Sequence, residues 1–398
     1  MSVGQITGTV EPGWEKVGEA FAANFETRSE VGATFCLYHQ GRAVVDLAGG
    51  VADQSTGASY TRDTLTNVFS TTKGATAICA NLLVQRGLLD LDAPVVTYWP
   101  EFGAAGKADV PVRMLLCHQV GLPTIDAKLT LDQVCQITPV VEALAAQKPY
   151  WEPGTAHGYH ALTYGWLVGE IIRRIDGRSL GRFFADEVAA PLGLDFWIGL
   201  PEAEETRVAP LLPMIMLGEA PDPATLDADT MARMQSMMDP NSLAMRALGL
   251  NGAVVNGIGA AETPFNSRQV HATEMPAANG ITNASSLARM YAATIGEVDG
   301  VRLLDEKTVD AARQTLSKGP DQVLLIESHF GTGFMLDGLM CPMLSPGSFG
   351  HAGAGGSLGF ADPEAGVAFG YVMNQMAMGL AGDPRNVALI EAVRSCLN

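Results

Sequence analysis

Strand-like runs sit at the two ends of this chain, and helical periodicity fills most of the distance between them. GATFCLYHQ and RAVVDLAGG, within residues 32–50, are rich in β-branched, aromatic and apolar residues and meet at a Gly41–Arg42 turn, which reads as a β-hairpin. From residue 329 onward HFGTGFMLDG, GSFGHAG, GSLGFADP and GVAFGYVMNQ read as an antiparallel meander, with DPEAG turning between the last two. WEKVGEAFAANFETRS, NASSLARMYAATIG, DEKTVDAARQTL and the closing VALIEAVRSCL have helical periodicity. Residues 90–200 are mostly helical in pattern, broken at Pro94, Pro111, Pro123, Pro153 and Pro191. This arrangement predicts an α+β fold in which both termini build one antiparallel sheet and a helical lobe is inserted. The expected division is a sheet domain from 1–75 and 280–398 and a mainly helical domain from 76–279. Within the latter, 201–278 reads as an irregular insertion with one helix near 225–239, rich in methionine: Met214, Met216, Met231, Met234, Met237, Met238 and Met245.

Composition narrows the function. With 398 residues, 47% apolar and 17% charged, the chain can bury a large core. A formal net charge of −18 argues against nucleic acid, whose phosphates demand clustered Lys and Arg, and against docking on anionic lipid. No apolar run is long enough to span a membrane, and MSVGQITGTVEPG carries neither the basic start nor the apolar core of a secretory signal. Cys36, Cys79, Cys117, Cys135, Cys341 and Cys396 form no CxxC pair and read as free thiols in a reducing compartment. A cytoplasmic protein is expected. No His, Asp, Glu and Cys cluster has metal-ligand spacing and no glycine-rich loop before a helix suits a nucleotide, so no cofactor is expected. Homo-oligomerisation is left open.

The chemistry-bearing stretch is VFSTTK at 68–73. If Ser70 opens a helix, Lys73 lies one turn on and on the same face. A serine hydroxyl needs a neighbouring base to become a nucleophile, and a lysine serves only if its environment lowers its pKa. The helix start also offers N–H groups suited to an oxyanion. The plainer reading is a serine cap, although a lysine in the first turn opposes the helix dipole. A second element, WEPGTAHGYHALTYGWLVGEII, puts Tyr159 after a Pro–Gly turn and just before an apolar helix, where a phenol can relay a proton. A third, FGHAGAGGSLGF, lets a backbone or ligand approach closely beside His351.

In this order the three elements resemble those of the penicillin-recognising serine hydrolases, and more narrowly the family VIII carboxylesterases, relatives of class C β-lactamases. Ser70–Lys73 matches their S-x-x-K motif, Tyr159 their tyrosine element, and His351–Ala352–Gly353 their third element, K-T-G in the lactamases. MLLCHQVGLP at 114–123 and GFADPEAGVAFGYVMN also resemble family segments, with Val120 where serine is common, and the resemblance spans nearly the whole chain except 201–278. It implies a β-lactamase-like fold and a serine esterase that hydrolyses short-chain carboxylic esters, with Ser70 acylated, Lys73 and Tyr159 sharing the general-base and general-acid work, and the N–H groups of Ser70 and Ala354 forming the oxyanion hole. A β-lactamase or peptidase-like amidohydrolase and an acyltransferase are the alternatives, and a non-catalytic binding module is the most distant.

Two departures favour esters over lactams. Ala161 stands where the lactamases carry an asparagine for the antibiotic's amide. His351 stands where they carry a lysine, so the charge toward the antibiotic carboxylate is gone or pH-dependent. His351, Ala352, Gly353, His160, Met234, Met237 and Met238 are the expected substrate-binding residues, the methionines as a wall of the acyl or alcohol pocket. Two G-x-S-x-G matches, GRSLG around Ser179 and GGSLG around Ser357, lack the strand–turn–helix context of a nucleophile elbow, so neither serine is expected to react.

Overall fold

The computed structural model describes residues 6–217, 228, 230–231, 235–236, 239–254, 259–379 and 382–397. Its main element is a ten-stranded antiparallel sheet. The order across it is Thr7–Val10, Arg42–Asp53, Gly32–His39, Val367–Met373, Leu358–Asp362, Phe349–Ala352, Met335–Leu336, Glu327–Phe330 and Ser317–Pro320, with Ala58–Ser59 pairing onto Arg42–Asp53. The two ends of the chain meet where Gly32–His39 pairs with Val367–Met373, from Ala33 opposite Met373 to His39 opposite Val367. The expected hairpin turns at Gln40 and Gly41, with φ of 51° and 76°, one residue earlier than read, because both central positions of this tight turn take positive φ. Two edge strands went unread, Thr7–Val10 and Ser317–Pro320, since short segments with exposed positions carry no apolar alternation.

Both faces of the central strands are covered, which is why they read as near-continuous apolar runs. On one face the helix Glu15–Thr27 meets the sheet through Phe21 and Phe35, and packs beside the C-terminal helix Pro384–Leu397. On the other lies Ala284–Ile295, whose start is set by Asn283 accepting the Ser286 N–H at 2.9 Å. Glycine at 370 permits this approach: a methyl there would fall 2.5 Å from the Ala284 carbonyl oxygen.

The helix Thr72–Gln85 is buried from Thr72 to Leu83, all round rather than on one stripe. It packs against Thr163–Asp176 and Leu180–Phe184 and touches the Phe349–Ala352 strand. A small sheet braces its entry, with Gly280–Thr282 between Thr66–Asn67 and Phe196–Ile198. Residues 201–278 hold more order than expected. The Leu212–Ile215 strand pairs in parallel with Gln375–Ala377, and helices run over Leu243–Leu248 and Arg268–Ala272. The helix expected near 225–239 falls largely outside the described residues, of which 228, 230–231 and 235–236 are helical. All six cysteines are free, and no helix among the described residues is long and apolar enough to cross a membrane.

Candidate active site

Ser70 is presented by a strained turn. Phe69 before it has φ of 44°, a value that a bulky side chain rarely adopts, and is held there by its N–H donating to Asn67 Oδ1 at 2.9 Å and its ring against Phe265. The helix that follows has Thr71 as its boundary residue and no side-chain cap, so Ser70 is not spent as one. Its Oγ lies 3.1 Å from Lys73 Nζ.

Lys73 is fully buried. Its Nζ donates to the carbonyl oxygens of Ala161 at 2.7 Å and Ala277 at 2.9 Å and sits 4.7 Å from the centre of the Tyr159 ring. Burial alone pushes its pKa well below the usual lysine range, with no carboxylate opposing the shift. The two carbonyls account for both hydrogens of a neutral amine, leaving its lone pair for the Ser70 hydroxyl. Neither carbonyl has a side-chain signature, so sequence reading could not find them. Ala277 also lies inside 201–278, the segment read as an irregular insertion.

Tyr159 stands in the loop before Thr163–Asp176, as expected, 4% exposed, and its Oη has no hydrogen-bond partner among the described residues. Burial raises its pKa above the ordinary phenol value, opposed by the Ser70 hydroxyl and assisted by Asp321. Asp321 holds the loop from behind: Oδ1 accepts the N–H groups of Tyr159 at 3.0 Å, Val323 at 2.8 Å and Leu324 at 2.9 Å. The MLLCHQVGLP segment holds it from the other side. His118, at φ of 65°, accepts the His160 N–H on Nδ1 at 3.1 Å, and His160 accepts the Leu122 N–H on Nε2 at 2.9 Å while Nδ1 donates to the Gly158 carbonyl. His160 is therefore a fully buried brace, outside the lining of the cavity, with burial holding its pKa down at about 3. Val120 is fully buried in the core, where its apolar side chain fits.

The third element lies beside Ser70. Gly353 comes so near that a methyl on it would fall 2.2 Å from the Val68 carbonyl oxygen and 2.8 Å from Thr71 Oγ1. Ser357 ties the two segments, its Oγ donating to the Val68 carbonyl at 2.8 Å and lying 3.1 Å from Thr71 Oγ1. Its hydroxyl is thus engaged as a clasp. Ser179 caps the Leu180–Phe184 helix and donates to Glu274. The N–H groups of Ser70 and Ala354 donate to no acceptor among the described residues, and both residues line the same cavity.

His351 departs from expectation. Its side chain is fully buried and does not line the cavity: Nδ1 donates to the Ala352 carbonyl at 2.7 Å, and the ring centre lies 6.1 Å from that of Tyr159. Burial, and then Lys73 when it is protonated, push its pKa well below the usual histidine value, so it offers no cation to a substrate carboxylate at neutral pH. His351 is packed behind the site on the face that carries Lys73 and Tyr159: its strand partner Gly359 faces Tyr291 and Leu287 of the Ala284–Ile295 helix, and the Tyr291 hydroxyl also abuts Gly74 of the serine's helix. Ala352 and Gly353 do line the cavity, whose volume is about 1940 Å³. Met214, Met245 and Leu248 of the methionine-rich segment wall it, with Ala161 facing in where an asparagine would bind an amide. Met234, Met237 and Met238 lie outside the described residues.

Residues 19–392 match the Beta-lactamase family. The chain belongs to that family. It is 36% identical to the Esterase/beta-lactamase LipL of Mycobacterium tuberculosis, over 94% of this chain and 83% of that protein. Among solved structures it is similar to a family VIII carboxylesterase, at 38% identity and a TM-score of 0.86, covering 98% of this chain and 100% of that one. It is also similar to a penicillin-binding protein homolog from Caulobacter crescentus, at 37% identity and a TM-score of 0.84, covering 98% and 100%.

Proposed function

We propose that this protein is a serine carboxylesterase that hydrolyses short-chain carboxylic esters through an acyl-enzyme on Ser70. The observation that carries the reading is the buried Lys73 amine, without a counter-charge, 3.1 Å from the Ser70 hydroxyl. Likeness to esterases of the same fold supports it. Lys73 takes the Ser70 proton as Oγ bonds to the ester carbonyl carbon, and the new oxyanion is received by the Ser70 and Ala354 N–H groups. Neutral Tyr159, its pKa raised by burial, gives its proton to the departing alkoxide as the C–O bond breaks and recovers one from Lys73. Water then attacks the acyl carbon by the same route in reverse order. In this reading the nucleophile stands where a sheet domain (1–75 with 280–398) meets a helical domain (76–279): Ala161 and Ala277 come from the second, Ala354 from the first.

The site favours an ester over a lactam antibiotic. Ala161 cannot hold an amide, His351 offers no charge, and an alkoxide or phenolate leaves more readily than an amine. Losing one charged and one neutral contact amounts to about thirtyfold to two-thousandfold in kcat/KM. Turnover of a p-nitrophenyl ester series beside nitrocefin tests this: clear activity on short esters and weak or none on nitrocefin is expected at neutral pH. Equal efficiency on both would sink it. Ser70→Ala should lose ester turnover and fluorophosphonate labelling together, whereas Ser357→Ala and Ser179→Ala should still label.

A further inference from the structure

The loop that follows Ala354 is held from outside by a side chain that sequence reading passed over. Arg385, in the first turn of the C-terminal helix, is fully buried. Nη2 donates to the Gly355 carbonyl oxygen at 2.7 Å and to Asp383 Oδ2 at 2.7 Å. Nη1 donates to Glu30 Oε2 at 3.0 Å and to the Gln375 carbonyl at 2.9 Å, and Nε to Asp383 Oδ1 at 3.0 Å. Every N–H of the guanidinium is therefore used. Its neighbour Asn386 donates from Nδ2 to the Gly356 carbonyl oxygen at 2.7 Å. Glu30 is itself fixed by the Tyr371 hydroxyl and by the Val31 N–H at 3.0 Å.

The loop needs such a hold. Gly353, Gly355 and Gly356 surround Ala354, the last two at φ of 87° and 122°, so the backbone carrying its N–H has little stiffness of its own. Gly356 leaves no room to spare, because a methyl there would strike Asp383 and Arg385. On the nucleophile's side Ser357 and the Val68 carbonyl pin the loop, and within it the Gly356 N–H donates to the Gly353 carbonyl at 3.2 Å; on the far side residues 355 and 356 are held by this cluster, by the Ala377 N–H 2.9 Å from the Gly355 carbonyl, and by Met376 packed on Gly355.

We propose that Arg385 and Asn386 are positioning residues that aim the Ala354 N–H at the oxyanion by gripping the two carbonyls just beyond it. The proposal rests on the reading of Ser70 as nucleophile and Ala354 as oxyanion donor. A misplaced donor acts on the transition state and hardly on ground-state binding, so kcat should fall while KM holds.

The test uses Asn386→Ala and Arg385→Lys, with active sites counted by fluorophosphonate titration so that misfolded enzyme is excluded. Expected is a kcat per titrated site lower by about tenfold for Asn386→Ala and about a hundredfold for Arg385→Lys. KM should stay within about twofold, and affinity for a phenylboronic acid, whose serine adduct is a tetrahedral anion, should weaken by the same factors as kcat. Wild-type kcat per site and wild-type boronate affinity, with only a lowered Tm, would overturn it. If Arg385→Lys fails to fold, Asn386→Ala decides alone. A failure of the underlying reading is separately visible, because Ser70→Ala would then still take the label.

Discussion

Two lysines are buried in this protein, and they differ in what receives their hydrogens. Lys107 donates to three carbonyl oxygens, of Ala104 at 2.8 Å, Ala145 at 3.0 Å and Gln147 at 2.6 Å. Lys73 meets two carbonyls and the Ser70 hydroxyl. Burial lowers both pKa values, that of Lys107 to about 8. Three carbonyls can only accept, so they satisfy an ammonium and would leave one oxygen unserved beside a neutral amine. A hydroxyl can donate as well as accept, so the Lys73 site satisfies the amine in either protonation state. A buried lysine becomes a base when its third neighbour can hand it a proton, and a strut when it cannot.

The largest expected effect follows from removing Lys73, the proposed base. Lys73→Met should lower kcat/KM on p-nitrophenyl acetate by about a thousandfold, in the middle of the range for general acid–base groups. Retention of more than a tenth of the activity would erase the distinction between the two lysines. Tyr159→Phe should cost about a hundredfold, and the double variant much less than the product of the two, because both act on one proton path. A multiplicative double variant would separate them.

Next comes pH. Lys73 must be neutral to act, and its pKa lies well below that of a free lysine, so kcat/KM should rise with pH through that lowered value and level off well short of the free-lysine range. On the acid side it should fall about tenfold per pH unit. His118, His160 and His351 are pushed downward by burial and stay neutral there, so the limb should survive His160→Gln in whatever fraction folds. A limb near the free-lysine value would contradict the desolvated base. The smallest effect on turnover belongs to the strut. Lys107→Met should leave kcat per titrated site within about twofold while lowering unfolding stability by about 2–4 kcal/mol in urea, from the stranded carbonyls. A matching loss of turnover would mean that the two lysines are not separate in role.

The site was legible where side chains carry it and illegible where the backbone does. Ser70, Lys73 and Tyr159 could be ordered along the chain because each residue type announces a chemistry. The Ala161 and Ala277 carbonyls could not, since any residue supplies a carbonyl. Asp321 and Arg385 were missed for a related reason: each acts by gripping backbone of another segment, which no local pattern reveals. His351 shows the converse: it stands in the motif beside Tyr159, yet its ring is fully buried on the Ala352 carbonyl and does not reach the cavity, a matter of packing depth that a sequence pattern does not carry. The sheet from both termini was legible in its long, doubly covered strands and lost at its short edges.

The pairing of Gly32–His39 with Val367–Met373 has a consequence for synthesis. The serine and its lysine emerge from the ribosome early, whereas the strand that completes the sheet's centre, the loop bearing Ala354 and the arginine that grips it emerge last. Until then Gly32–His39 waits with one edge unpaired, an invitation to pair with another chain. Contacts so distant in sequence form slowly. On the proposed reading, the half-made protein therefore carries its serine without the oxyanion donor, and its hazard is aggregation rather than stray hydrolysis.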